Sequence, residues 1–579
     1  VKKGKWSFLF FVLWVAAGLG WAAQPNQQKI YPVQSQVVDA IRVLYLDQGL
    51  AQPSGTAPYS QAELAKMLEK IDQTKLSSSA RKTYQYIEDT FAGEPQISDP
   101  KGVSFTWGVD ATLEGYAHTN TADFVGRGQW VRGFLDQKPA LTFSLESWPG
   151  DNMYGYSEIS IGNNYTMQRG FGAQTFSTNL PFVYPATSSD IDMNVPYRAF
   201  VAMGGPWWSV QVGRDRLSWG NGVTGNLFLG DNLKYHNMAR FTAFGTSYKY
   251  TFVTSFFPYP DAYWGKRVVD QGTNAGEATS DGIFMFMAHR LEWRMFHDKV
   301  GFTLTEGIMY QNKASSLDLR VLSPAVIYHD LYIRSNANSL LGLELDWTPW
   351  VHFNIYGQVV MDEFAASNEL VGTGAINPNA MGYLLGLRFE RPVGTAGVVA
   401  KASLEAAYTD PYLYLRDDGD YTQDSYGLGY VVALREFHVD NDFFYHTTFL
   451  GYRYGCDAIV FNLNGGLKQF GKWSVEGNGF FMIHGTHDAF TAWTRIGRDD
   501  DNTSPTTSHQ TMNFNDSDAQ TTRNAASYTM VVGIKGNYTF TSHLNLFCQT
   551  DYLKIWNWQN SKGSETDDLQ VTVGVTYSL

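Results

Sequence analysis

The last eleven residues, Leu569 to Leu579, alternate without a break. Val571, Val573, Val575, Tyr577 and Leu579 would share one face of a β-strand, and Thr572, Gly574, Thr576 and Ser578 the other. An apolar face backed by small polar residues suits a stave of a closed transmembrane barrel, and also the edge of a soluble sheet. The rest of the chain favours the barrel, because the same period of two recurs along most of it. Val103, Phe105, Trp107, Val109, Ala111 and Leu113 form one such face. Val351, Phe353, Ile355 and Val359 lie opposite His352, Asn354, Tyr356, Gln358 and Asp362. Met381, Tyr383, Leu385, Leu387 and Phe389 lie opposite Gly382, Gly386, Arg388 and Glu390. Leu404 and its alternate neighbours oppose Lys401, Ser403 and Glu405. Charges facing away from unbroken apolar rows call for a polar lumen inside a lipid-facing wall.

About eighteen such segments can be counted, give or take about two. The expected fold is an all-β transmembrane barrel of antiparallel strands with a small N-terminal α-helical bundle. Long polar connections fall near 180–196, 213–238, 258–281, 312–337, 410–440 and 486–526. Short turns are expected at Tyr454–Asp457 and Thr539–Ser542. Glu306 breaks the pattern, sharing a parity with Val300, Phe302, Leu304 and Ile308. Either a bulge intervenes or that apolar face is the interior.

The first 22 residues resemble a secretory signal: Lys2, Lys3 and Lys5 precede an apolar run from Phe8 to Leu19, with Gly20-Trp21-Ala22 as a cleavage-like end. No cysteine lies nearby, so a lipid anchor is not expected. Residues 23–98 read as helical and periplasmic. Val37, Val38, Ile41, Leu44 and Tyr45 have helical spacing and Gly49 offers a stop. Ser60 and Glu63 form a capping-box pattern ahead of Leu64, Met67, Leu68 and Ile71, and a third helix is expected from Ser79 to Phe91. Residues 99–579 then form the barrel.

Mean hydropathy is −0.26, which a barrel permits because only alternate residues meet lipid. Aromatic residues make up 15% of the chain, suiting interfacial girdles and also sugar-stacking surfaces. A net charge of −13 argues against nucleic acid as a partner. Cys456 and Cys548 could be bridged only if their Cα atoms lay within about 7 Å. No hydrolase motif or P-loop is present, and no cofactor or catalytic residue is expected.

Three groups of residues could carry function. The run Gly213 to Asn232, G-R-D-R-L-S-W-G-N-G-V-T-G-N-L-F-L-G-D-N, concentrates Arg214, Asp215, Arg216, Trp219, Asn221 and Asn226 among five glycines. It suits either a ligand loop or a plug that fills the lumen. His289, Arg290, Glu292, Glu306, His329 and Asp362 suggest a hydrogen-bonded lumen network; as zinc ligands their spacing is poor. In the long connections, Tyr259, Tyr263 and Trp264, then Tyr412, Tyr414, Asp417, Asp418, Asp420 and Tyr421, then Trp493 and Arg495, pair rings with polar groups as a glycan site requires. The alternative for each cluster is an interfacial girdle or a solvated loop. The acidic runs Asp417–Asp420 and Asp499–Asn502 lack the spacing of a calcium loop.

Four of these stretches carry a resemblance. R-D-R-x-x-W-G-N-G-x-x-G-N-L-x-L from Arg214, H-R-L-E from His289, N-A-N-x-L-L-G from Asn336 and Y-G-Q-x-x-x-D-E from Tyr356 resemble the capsule-assembly Wzi-like outer-membrane family. The helical opening at 33–91 and Asp410-Pro411-Tyr412-Leu413-Tyr414 are similar too. Asn221 stands where that family often has proline. The resemblance implies an occluded, monomeric outer-membrane barrel with periplasmic helices and long loops at the cell surface. It implies a non-catalytic lectin for capsular or exopolysaccharide. A porin-like channel and a surface adhesin are the competing expectations.

Overall fold

A computed structural model describes residues 26–93, 95–98, 102–124, 138–162, 176–180, 193–194, 198–260, 282–312, 317, 319–322, 328, 336–363, 379–416, 428–437, 443–489, 491 and 523–579. Eighteen antiparallel strands form the wall, from Val103–His118 round to Glu565–Ser578. The last strand pairs with the first, Ser578 opposite Asp110 and Gln570 opposite His118, so the sheet closes and leaves no edge in lipid. Connections at one end of the barrel are short, such as Pro206-Trp207 and Val351-His352; at the other they are long.

The alternation holds. On the last strand Leu569, Val573 and Tyr577 are exposed outward, while Asp568, Gln570 and Thr572 are buried. Leu463 is 60% exposed and its neighbour Asn462 is 4% exposed. These opposite environments for adjacent residues define an apolar outer wall and a polar inner one. Trp207, Phe296, Trp350 and Phe540 stand exposed around the short-turn rim, as an interfacial girdle would.

Glu306 obeys neither expectation. Its strand pairs continuously with its neighbour, without a bulge. Glu306 lies on the outer face with Leu304, and its neighbours Thr305 and Thr303 face inward. Its carboxylate meets His289 Nε2 at 3.0 Å. Tyr328, from the connection 313–336, packs on that imidazole with ring centroids 5.1 Å apart. It joins Met285, Met287, Ile308 and Tyr310 in a cluster on the outside of the wall. The charge is tolerated there because a folded-back connection replaces lipid.

One further expectation is corrected. The tight turn at Tyr454–Asp457 lies at the long-connection end, immediately before the strand Ala458–Gln469. Cys456 is buried, Cys548 is exposed, and both are free thiols.

Three helices, α1 (Gln36–Asp47), α2 (Gln61–Leu68) and α3 (Ser78–Phe91), cover the short-turn end. Gly49 takes φ +70° just beyond α1, the left-handed conformation expected of a helix stop. Ser60 caps α2 by accepting from Glu63 N at 3.3 Å. The Glu63 side chain instead receives Lys249 Nζ of the barrel at 2.5 Å. Asp39 of α1 meets Lys468 at 3.3 Å, and Lys70 meets Asp298 at 2.6 Å. Burial disfavours the Asp39 carboxylate, but Lys401, Lys468 and Arg42 outweigh it and hold the group well below the usual carboxylate range. No helix among the described residues is long and apolar enough to cross a membrane. The first 25 residues, including the expected signal, lie outside the described residues.

Candidate functional site

The segment from Arg216 to Tyr235 leaves the wall at the long-connection end and folds into the lumen. Its polar residues meet inward-facing wall residues one by one. Glu405 accepts from Val223 N and Thr224 N, each at 2.7 Å, and from Tyr356 Oη at 2.6 Å. Asn226 Oδ1 accepts from Gly222 N at 2.9 Å and Gln358 Nε2 at 2.7 Å; Gln358 Oε1 in turn accepts from Leu227 N. Arg388 donates to Asn221 O at 2.9 Å. Asp215, fully buried, accepts from Arg198 Nε at 2.7 Å and Gln211 Nε2 at 2.8 Å. Arg214 lies over the Tyr235 ring, and Arg216 donates to Asp231 O at 2.6 Å. Gly220 has no room for a Cβ: one would lie 2.3 Å from both Asn226 Oδ1 and Gln358 Nε2. The glycines of this run let backbone and wall approach closely.

A second segment, Leu50–Ser60, reaches the same point from the helical end. Thr56-Ala57 pairs antiparallel with Ser218-Trp219, and Gly220 N donates to Gly55 O at 3.0 Å. Glu292 accepts from Ser54 Oγ at 2.9 Å and from Thr56 Oγ1. Arg290 forms a two-point pair with Glu344 at 2.5 and 2.9 Å and lies over the buried Trp219 ring. The two segments therefore close the lumen as a single hydrogen-bonded seam.

Above the seam the interior is apolar. Leu227, Phe228 and Leu229 pack with Phe284, Phe286, Leu413, Tyr430 and Leu450. Three of the expected glycan-contacting rings belong to this core. Tyr259, Tyr412 and Tyr414 are buried there, not displayed on a surface loop. Tyr414 Oη donates to Leu227 O, and Tyr412 packs edge-on against His487 at 4.8 Å. An aromatic residue in a long connection can fold inward when the lumen offers it an apolar core, and sequence alternation carries no sign of that. Asp362 accepts from Asn338 Nδ2 at 2.9 Å and Tyr414 N at 3.1 Å, so it holds this layer in place. Tyr263, Trp264, His329, Asp417, Asp418, Asp420, Tyr421, Trp493 and Arg495 lie outside the described residues.

Sequence reasoning gathered the inner-facing Gln358, Arg388 and Glu405 but not their partners. It missed the insertion of Leu50–Ser60 altogether. Its one available signal was a run without helical period between two helices. Among the described residues no group of three His, Cys, Asp or Glu side chains could hold a metal ion.

No protein-family model matches the chain, and no curated protein sequence matches it. Solved structures do. Wzi, an outer-membrane protein involved in group 1 capsule assembly in Escherichia coli and described as a carbohydrate-binding β-barrel, aligns with a TM-score of 0.56 at 13% identity. The alignment covers 94% of this chain and 98% of that one. The outer-membrane channel DcaP of Acinetobacter baumannii aligns at 10% identity and a TM-score of 0.35, over 84% and 100% of the two chains. A BenF-like porin from Pseudomonas fluorescens Pf-5 aligns at 10% identity and 0.37, over 82% and 99%. Likenesses as loose as the last two carry no argument. The closed eighteen-stranded wall and the near-complete alignment together give this chain the outer-membrane β-barrel fold of Wzi.

Proposed function

We propose that the protein is a non-conducting outer-membrane barrel that binds and retains polysaccharide at the cell surface. The observation that carries this reading is the closed lumen: Arg216–Tyr235 is hydrogen-bonded to the wall from Arg388 to Glu405 and joined to Leu50–Ser60. A diffusion channel would keep that volume open. In this reading the helices face the periplasm and the long connections face outward. The carbohydrate-binding description of Wzi supports the choice of ligand. Trp264, Tyr421 and Trp493, with Asp417, Asp418, Asp420, Tyr263 and Arg495, are the proposed glycan contacts. Tyr412 and Tyr414 belong to the packed core and are not among these contacts. Many weak contacts along a repeating polymer would supply retention through avidity.

The test is binding of the detergent-purified protein to an array that includes the producing organism's own surface polysaccharide. Selective binding is expected, with at least a tenfold loss in a folded Trp264→Ala, Tyr421→Ala, Trp493→Ala variant. A steady open conductance in planar bilayers would overturn the reading in favour of a channel.

A further inference from the structure

The helices and the seam do not fill the whole lumen. Five adjacent strands, from Ala458–Gln469 through Trp473–His484, Ser527–Thr539 and Leu544–Trp556 to Glu565–Ser578, have inner faces that are polar and open at the short-turn end. Lys535 makes the point. Ile534 beside it faces outward, so Lys535 faces the lumen, yet its side chain is 53% exposed. It pairs with Glu476 on the next strand at 3.4 Å, and Asp110, three strands further round the same wall, is exposed as well. The helices meet this arc at its first strand, where Asp39 pairs with Lys468, and at the turn after it, where Tyr86 stacks on Phe470. Among the described residues no hydrogen bond or ion pair ties a helix or the seam to the other four strands, and Lys29 docks beyond the far edge on Glu146.

Amides recur along the lining, between the charged pairs and the Ser and Thr residues. Asn464 lies opposite Asn478, and Asn537 lies one inner row below Lys535. Asn464 and Asn537 are half-buried and make no side-chain hydrogen bond among the described residues. Gln549 spends only its Nε2, donating to Asp551 at 2.5 Å, and leaves its Oε1 free. Higher in the same space Gln570, 2% exposed, has a carbonyl oxygen without a donor. The roof is shut by Phe480, Val531 and Leu553, all buried in the apolar core. The space is therefore a dead-end vestibule rather than a passage. At ~4.8 Å between strands the arc is roughly 20 Å wide.

The chemistry of the lining selects a ligand class. Lys535 pairs with Glu476 and Lys468 with Asp39, and Asp551 and Asp110 add carboxylates, so no excess of cations awaits a polyanion. The rows below the roof lack the apolar surface that a lipid or hydrophobic peptide would need. A primary amide both donates and accepts, as a hydroxyl does. Phe547, on the inner face, is covered by Lys138 4.1 Å above its ring and by Gly574 beside it, so recognition rests on the polar groups. We infer that this vestibule binds a neutral, hydroxyl-rich oligosaccharide from the helical side of the membrane. The site is separate from the proposed outer-loop contacts and does not depend on them; its periplasmic access rests on the orientation proposed above.

Calorimetric titration of the full-length protein in detergent tests this, using maltoheptaose and cellohexaose as neutral probes and oligogalacturonate as the acidic one. Saturable binding of a neutral probe is expected, at least tenfold tighter than the acid. An Asn464→Leu, Gln549→Leu variant should lose at least tenfold, while a Leu385→Ala variant on the outer wall keeps full affinity. Absence of saturable neutral-sugar binding, equal binding of the acid, or an unchanged double variant would each overturn the inference. If the double variant does not fold, Asn537→Cys decides. Protection of that thiol from a charged maleimide by the neutral probe supports the site, and unprotected labelling refutes it. Neutral-probe binding lost only in the Trp264→Ala, Tyr421→Ala, Trp493→Ala variant would refute this site while leaving the surface-binding reading intact.

Discussion

Buried charges in this barrel are each met by a partner from another element, and that makes single truncations costly. Lys249 and Glu63 are both almost fully buried, one on a strand and one on α2, with Lys249 also donating to Thr56 O at 2.7 Å. Removing one member strands the other in a medium that solvates it poorly. Lys249→Ala should destabilise the docking of the helices by about 3–5 kcal/mol, and Lys249→Met with Glu63→Leu should recover most of that. Hydrogen exchange of α2 in the folded barrel measures both. On the outer wall the logic is reversed. Leu463→Arg, at mid-strand, should cost about 2–4 kcal/mol in unfolding experiments in lipid. The contrast between Leu463 and Asn462 was legible because strand alternation assigns each side to one solvent. Glu306 was legible only as a misfit, since the residue that shelters its partner, Tyr328, comes from the long connection that follows its strand, where alternation gives no placement. Tyr414 gave no warning at all: a buried and an exposed tyrosine in a long loop have the same sequence signature.

At the scale of elements, the decisive one is the connection Arg216–Tyr235. Its glycines and polar residues announced a tightly folded segment, and both a ligand loop and a plug fitted that description. The geometry favours the plug, because most polar side chains in it meet the wall, Leu50–Ser60 or one another, with Trp219 Nε1 and Asn221 Oδ1 buried without a partner among the described residues. Glu405 holds one end of it through three donors, counting both backbone N–H groups and Thr224 Oγ1 at 2.5 Å. Glu405→Ala would leave those donors unpaired in the lumen, at a cost of about 1–3 kcal/mol each. The variant should fold as a barrel but show intermittent conductance in planar bilayers, where the parent shows none. Replacing Leu217–Leu233 by a short Gly-Ser link should turn that into a steady current, because the amide-lined arc below is already open. A silent barrel after this replacement would mean that Leu50–Ser60 and the helices close the lumen unaided. The helices themselves were readable from their spacing and from Ser60 and Gly49, but their destination was not. Glu63 looked like half of a capping box, and only the folded chain shows it turned towards Lys249.

Across the whole molecule, the barrel and its helical cover are held by different forces. Eighteen strands close through backbone hydrogen bonds that have no alternative partner in lipid, so the wall should resist acid and salt alike. The cover rests partly on ion pairs at the rim, among them Lys29–Glu146, Lys70–Asp298 and Asp39–Lys468. Asp39 sets the direction of the pH response. Its folded pKa lies below its unfolded value of about 3.9, so its contribution is complete above that value and is lost as pH falls towards the folded one. Asp47 shifts the other way, raised by burial despite His352 beside it, so it opposes this trend by favouring the docked state as it takes up a proton. The helices should therefore stay docked at pH 5 and loosen below about pH 4, more readily at high ionic strength, which screens the half-exposed rim pairs. Pepsin digestion across that range reads the change. Cleavage should appear first between Gln36 and Phe91 while the barrel keeps its heat-modifiable mobility on a gel. Asp39→Asn should already be cleaved at pH 5 and should lose most of the acid step. If parent and variant are cut alike across the range, the cover is held by its apolar contacts, such as Tyr86 stacked on Phe470, and the charges at the seam only set its register.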